Sequence, residues 1–275
     1  MNLRSMYLIA RKDMVEVSRN KTAVLPMFIL PLIFVIVLPA VMIFAIQSSA
    51  DTAQTMTADP DIQSFLENMP LALSAIVEGL TMQQSSIVLM LGMMLAPMFL
   101  ILPLMFSSII AAESFAGEFE RKTMEALLYT PASDKELFFG KVLAAFVPSI
   151  LITWLSFLVY IVVLNGMSFP LFQRIWFPLA SWWPLIFWVS PALSMMSIAV
   201  TVLISARVKN FMGTYQLSGS LVLVVMALLI AQVSGVVYLD VTVGIIIGLV
   251  CWTVTAVILR FALKLFDRQK LLLDV

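Results

Sequence analysis

Residues 86–112 read SIVLMLGMMLAPMFLILPLMFSSIIAA, a run of 27 positions without a single Asp, Glu, Lys, Arg or His. A helix needs roughly 20 predominantly apolar residues to cross a hydrocarbon core of about 30 Å. Five further stretches meet the same requirement, at 23–46, 142–164, 184–205, 216–234 and 242–263. The whole chain agrees: 62% of its 275 residues are hydrophobic, 12% are charged and the mean hydropathy is +1.05. Soluble domains run near 45–50% apolar and about 25% charged. A water-soluble fold of this composition would expose large apolar patches, which aggregate. The sequence therefore predicts an all-α membrane protein, a single domain of six transmembrane helices spanning residues 1–275.

Lys and Arg orient the spans. If the six alternate, fifteen of the sixteen basic residues fall on one side, in segments 1–22, 113–141, 206–215 and the tail. The loops 47–85 and 235–241 have none, and 165–183 has Arg174 alone. Both termini are expected to be cytoplasmic, with 47–85 as an acidic outer loop. Residues 1–22 are polar and basic without a cleavable signal pattern. Leu3, Tyr7, Ala10, Met14 and Val17 recur at helical spacing, with Arg4, Arg11, Lys12 and Arg19 mostly off that line. This is the pattern of an amphipathic helix lying in the membrane interface.

Other features are less specific. Four of the six Trp lie close together at 176, 182, 183 and 188, as in an interfacial aromatic belt. Pro26, Pro31, Pro39, Pro97, Pro103, Pro148 and Pro191 each remove a backbone donor within a span. Gly244 and Gly248 have the spacing that lets two helices approach closely.

The loop 113–141 differs from the rest, with ten charged residues. Its first half has helical logic over 113–128. Glu118 and Lys122 stand four apart in the favourable order, and Phe115, Phe119, Thr123, Ala126 and Leu127 trace one face. Pro131 disfavours helix at Thr130. Ser133 with Glu136 then forms a capping-box signature, and a second helix should run through Gly140 and Lys141 into the third span. A short helix, a rigid corner and a helix continuous with a span form an element that could transmit force. Its mixture of charge and apolar residues suits a protein partner.

The stretch Glu118-Phe-Glu120-Arg121-Lys122-Thr123-Met-Glu125-Ala-Leu127-Leu128-Tyr-Thr130-Pro131-Ala-Ser133, followed by Glu136-Leu137 and Gly140-Lys141, resembles the signature loop of ATP-binding-cassette exporter permeases of the second type. Ala10-Arg11-Lys12 followed by an acidic residue, and Arg207-Val-Lys209-Asn210, fit the same family. The nearest branch holds sodium-extrusion permeases and their drug- and peptide-exporting relatives, although the outer loop is short for a sodium-extruding member. The resemblance implies a coupling helix at 118–131 that docks on a separate ATPase subunit. Glu118, Arg121, Lys122, Thr123, Glu125, Leu128, Thr130 and Pro131 would form that interface, with Ser133 and Glu136 capping the corner. It further implies a second permease chain, as homodimer or paralogous heterodimer, in the plasma (bacterial or archaeal inner) membrane, moving an amphipathic or hydrophobic substrate outward. ATP and Mg would be held by the partner ATPase, and this chain would carry no cofactor.

Other classes find less support. A phosphate-cradling loop needs Gly-x-x-x-x-Gly-Lys-Ser/Thr, and Gly140-Lys141-Val142 lacks the first Gly and the hydroxyl. No catalytic constellation is legible, since the chain has no His and one Cys, Cys251. Met93, Met94 and Met98 cluster in the second span, and thioethers suit copper(I). Methionine is also common filler in apolar helices, and with no His and a lone Cys no metal site is expected. Membrane lipid is an expected partner and nucleic acid is not. An ion-coupled carrier or channel is the alternative. Such proteins place ionisable groups within the bilayer, whereas the span interiors here offer Thr153, Ser156, Tyr160 and Gln232. The charge asymmetry is directly testable. Single cysteines at Ser64 and Asp240 should react with impermeant thiol reagents from outside intact cells, and ones at Ser133 and Lys209 should not. Outside labelling at Ser133 would invert or break the topology.

Overall fold

The computed structural model describes residues 2–48, 76–123 and 132–265, apart from the side chains of residues 22, 23, 264 and 265. Among the described residues there is no strand. A short helix α1 (Leu3–Arg19) precedes six long apolar ones. These are α2 (Val24–Ser48), α3 (Met82–Glu120), α4 (Asp134–Phe172), α5 (Trp182–Ser205), α6 (Phe211–Val233) and α7 (Val241–Leu263).

The helices are not equivalent. In α3 and α5, 78% of the most apolar stretch is buried, against 22% in α2 and 17% in α6 and α7. Thus α3 and α5 form the centre, and the others shield them. Both α3 and α4 have 39 residues. At 1.5 Å per residue each is roughly 58 Å long, about twice a hydrocarbon core, so both project well beyond it.

Apolar burial gives little drive when the solvent is lipid, so these helices are joined by small residues and hydrogen bonds. Ser194 donates to the Pro103 carbonyl at 3.4 Å and Ser197 to that of Leu104 at 3.1 Å, linking α5 to α3. Widened turns break α2 at Leu32–Val37, α3 at Val88–Met94 and α5 at Leu185–Val189. Each lies within a turn of a proline, and such turns leave carbonyls without their usual donor. In α3 three successive carbonyls are taken up by three different helices. Tyr160 of α4 donates to Leu91 O at 2.8 Å, Trp182 of α5 to Gly92 O at 2.6 Å and Gln232 of α6 to Met93 O at 2.8 Å.

This lock corrects one expectation. Trp182 is no interfacial belt residue. It is fully buried, stacked on Tyr160 and Phe157 and edge-on to Phe99 and Phe177. Trp183 and Trp188 are partly exposed, at 49% and 39%. Of the polar side chains named in the span interiors, Tyr160 and Gln232 bond to α3. Thr153 donates to Ser149 O and Ser156 to Ile152 O, within α4 itself.

Gly244 and Gly248 of α7 face α5. A Cβ at Gly244 would lie 3.1 Å from Pro184, and one at Gly248 only 2.1 Å from the Trp188 ring. Trp188 lies across the groove and donates to Ile245 O at 3.3 Å. Gly248→Ala should therefore force the indole out, at an overpacking cost of about 1–3 kcal/mol. The thermal midpoint in detergent should fall, and adding Trp188→Leu should recover part of the loss. A double variant no more stable than the single one would refute this contact.

Candidate coupling site

The chemistry-bearing residues gather at the end of the bundle where α1, the C-terminus of α3 and the N-terminus of α4 meet. The buried stripe of α1 is Met6, Ala10, Asp13 and Val17. This differs from the expected apolar line: Leu3 and Tyr7 are exposed, while an acidic residue occupies the middle of the packed face. The reason lies in α4. Gly140 lets α1 come close, since a Cβ there would meet Ile9 at 3.0 Å and the Met6 carbonyl at 3.2 Å. One residue on, the Lys141 side chain is fully buried and aimed at Asp13.

Lys141 Nζ lies 3.2 Å from Asp13 Oδ2 and 2.6 Å from Glu118 Oε2, with both carboxylates 1% exposed. It also donates to the Ser114 carbonyl at 2.6 Å. The Ser114 hydroxyl donates to Asp13 Oδ2. Three helices thus meet on one ammonium group. Around it Lys12 contacts Glu118, Asp13 at 3.3 Å and Glu16 at 3.2 Å. The carboxylates of Asp13, Glu16 and Glu118 come within 4.8 Å of one another, spacing that suits a cation. The Lys12 ammonium occupies that role. Burial works against its charge, but Glu118, Asp13 and Glu16 outweigh that effect and hold its pKa above the ordinary lysine value. A raised cation pKa stabilises the fold fully below the unfolded value, about 10.4. That contribution is lost only as pH climbs through the raised value, so Lys12 stays charged across the physiological range.

Arg121 completes the network. Its guanidinium lies 2.6 Å from Glu113 of α3 and 2.6 Å from Glu16 of α1. Gly117 leaves room for this fold-back, since a Cβ there would sit 3.1 Å from Arg121 Nη1 and 3.3 Å from the Glu113 carboxyl carbon. At the very end of α3, Glu120 accepts from Phe211 N at 2.8 Å and so binds the start of α6. Lys209 stands 5.9 Å over the Phe119 ring. At the start of α4, Ser133 and Glu136 exchange capping bonds, Glu136 N to Ser133 Oγ at 3.4 Å and Ser133 N to Glu136 Oε2 at 3.1 Å. Glu136 also accepts from Asn2 N, which ties in the residue that caps α1.

The loop differs from the expected 113–128 helix. Residues 113–120 continue α3 without a break, and the helix then stops. Lys122 takes the left-handed conformation, φ 56°. Its N–H bonds Phe119 O at 3.1 Å and Thr123 N–H bonds Glu118 O at 3.0 Å. This is a Schellman stop with Lys where Gly is usual. The expected Glu118–Lys122 pair is replaced by Glu118 with Lys12 and Lys141. Glu118 is also withdrawn as a partner-contact residue, because it is buried and engaged on both oxygens. Arg121 is turned back onto two carboxylates, while Lys122, Thr123 and Ser133 are exposed. Glu125, Leu128, Thr130 and Pro131 lie outside the described residues.

Sequence reasoning missed Asp13, Glu113 and Lys141. Their signals were present: an acid on an otherwise apolar stripe, and a lysine directly entering a span. Breaking a buried pair strands its partner, at about 3–5 kcal/mol. Lys141→Met should lower the detergent unfolding midpoint strongly. Neutralising both stranded acids, Asp13→Asn with Glu118→Gln, in the Lys141→Met background should restore part of it. No recovery would show that the cost arises from packing rather than charge.

Residues 7–271 match the family model described as ABC-2 family transporter protein. No curated protein and no solved structure matches the chain.

Proposed function

We propose, from the premise that this chain belongs to the ABC-2 family of transporter membrane proteins, that it moves an amphipathic or apolar substrate out of the cytoplasm under ATP hydrolysis by a partner. The chain is a multi-pass membrane permease subunit of an ABC transporter, a kind of subunit that works with an ATPase and is not itself one. Export, the cytoplasmic placement of the basic end and pairing with a second permease chain are the proposed parts.

The observation that carries the reading is the charge network. The ATPase would dock on the segment between α3 and α4, whose described ends, Lys122 and Thr123 on one side and Ser133 on the other, are exposed; Glu125, Leu128, Thr130 and Pro131 of the same segment are proposed to share in the contact. On one side of this corner is the long central helix α3, and on the other α4. Arg121 joins it to α1 through Glu16. A push there reaches α1, α3 and α4 together, because Lys141 holds all three, and α3 bonds α4, α5 and α6 near its far end. Displacing Arg121 would release Glu113 and Glu16 at once, so a movement of the corner would be felt by α1 and α3 together. An ion-coupled carrier is not favoured, because these ionised groups sit at the base of the bundle rather than along the spans. Pairing of two chains is proposed because one chain is only a six-helix bundle, and the Tyr160 and Gln232 side chains of its span interiors are spent on bonds to α3.

The test separates docking from folding. Lys122→Glu changes the sign at an exposed position and leaves the left-handed turn with another non-Gly residue. Mismatched interface charge can cost several kcal/mol. Co-purification of the ATPase should fall at least about tenfold, while insertion and thermal midpoint stay unchanged. Lys122→Gly, which suits the turn better, should retain docking if the corner's shape is what the partner reads. Transport and partner binding at the wild-type level in Lys122→Glu and in Pro131→Ala would reduce the loop to a connector.

A further inference from the structure

We infer that the cleft between α1, α2 and α4 is a binding site for one anionic phospholipid, with an acyl chain in the cleft and the phosphate at Arg19 and Lys21. The cleft has a volume of about 660 Å³, within the range of small-molecule sites. Met14 and Val17 of α1 close it at the basic end, Phe28 and Leu32 of α2 form one wall, and Pro148 and Leu155 of α4 form the other. It runs from Val24 to Ile36 along α2 and from Ala144 to Val159 along α4. At 1.5 Å per residue that is roughly 18–22 Å, a little more than half of a hydrocarbon core of about 30 Å. A cleft of that depth, starting at the basic end, follows one leaflet.

Its chemistry suits an alkyl chain. Ser156 is one of two hydroxyls in the lining, and its hydroxyl is spent on Ile152 O at 2.8 Å. Phe28, Leu32 and Leu155 are 72%, 51% and 61% exposed, so the walls face outward, where lipid is the solvent. The anionic head is argued from charge. Arg19 ends α1 and Lys21 starts the following helical segment, on either side of the turn at Asn20. Neither lines the cleft itself: they adjoin its end at Ser18 and Val24, and Arg19 also borders the neighbouring groove with Arg11 and Lys12. Both are exposed and neither forms a salt bridge among the described residues, unlike Lys12 and Arg121 nearby. Basic groups at the membrane end of an interhelical cleft are the pattern that holds lipid phosphates.

The position gives the site a consequence. Met14 and Val17 flank Asp13 on α1, and Ala144 lies one turn beyond Lys141 on α4. A chain in the cleft would fill the space behind the Asp13–Lys141 contact and brace α1 against α4. Whatever binds the folded state alone stabilises it. The inference does not depend on the ATP-driven reading, since it concerns the folded permease chain by itself.

The experiment uses the purified full chain in neutral detergent, with the unfolding midpoint and native mass spectrometry as readouts. The probes are palmitoyl-oleoyl phosphatidylglycerol, phosphatidylcholine with the same chains, and glycerol phosphate without chains. Phosphatidylglycerol should raise the midpoint by several degrees and be retained about tenfold better than phosphatidylcholine. Glycerol phosphate should do neither, which separates a lipid from a free phosphate. Arg19→Ala and Lys21→Ala should each cost about fivefold in that preference, corresponding to ~1 kcal/mol per basic group near an anionic surface. Ile152→Trp, which fills the cleft, should abolish the shift. Val159→Phe is the second filler should the first not fold, and Leu249→Trp on lipid-facing α7 is the control that should change nothing. Equal retention of the two lipids, or phosphatidylglycerol stabilisation that survives a folded cleft-filling variant, would overturn the site.

Discussion

One buried ammonium group sets the arrangement of the basic end. Lys141 is wholly removed from solvent and meets Asp13, Glu118 and the Ser114 carbonyl at once. A buried charge is tolerable only with partners in place, and these partners come from two other helices. The azimuth of α1 on α4 and the level of α3 against both are therefore fixed together. Gly140 makes the approach possible, and Gly117 leaves space for Arg121 to return to Glu113. Removing any one member strands the others in a buried site.

Such a network is a poor choice if stability alone is wanted. Well-packed apolar residues often hold a core as well as a buried ion pair does, or better. What charges add is register. Glu118 is shared by Lys12 and Lys141, Glu16 by Lys12 and Arg121, and Glu113 has a buried oxygen without a hydrogen-bond partner. Each cation in this cluster therefore faces more than one acid, and one acceptor is left over. The far end of α3 is built differently, with backbone carbonyls at 91, 92 and 93 each fixed by a side chain of a different helix. Those bonds have no water to compete for them and no alternative partners within the bilayer. One end of α3 is held by side-chain bonds to its backbone and the other by shared ion pairs.

The helical class and the six apolar helices were legible because lipid imposes a length and a composition that show in any window of about 20 residues. The start of α4 was legible too, since a capping box is a local signal. What escaped was long-range. Asp13 and Lys141 are 128 residues apart, and no periodicity reveals that a charge on a packed face has a partner elsewhere. The apolar line through Leu3 and Tyr7 misled because a helix with two apolar faces can bury either. The stop at Arg121–Thr123 was missed because Lys122 adopts a conformation that Gly would have announced. Trp182 was read from its type, which favours interfaces, while its neighbours Phe99, Phe157, Tyr160 and Phe177 make it a core residue.

The contacts of α1 make it part of the packed bundle rather than a separate surface helix. A helix that merely lay on the membrane would keep its charges outward. Instead α1 turns Asp13 in, gives Glu16 to Arg121, and accepts a tie at its start through Asn2 and Glu136. These polar contacts run to the basic ends of α3 and α4. Its apolar contacts, through Met14 and Val17, border the cleft to lipid. Any rotation of α1 about its own axis would withdraw Asp13 from Lys141 and leave the ammonium short of a partner. The chain can then move α1 only together with α4, or by handing Lys141 to Glu118 alone. Glu118, which is shared with Lys12, would then be the one carboxylate left to Lys141.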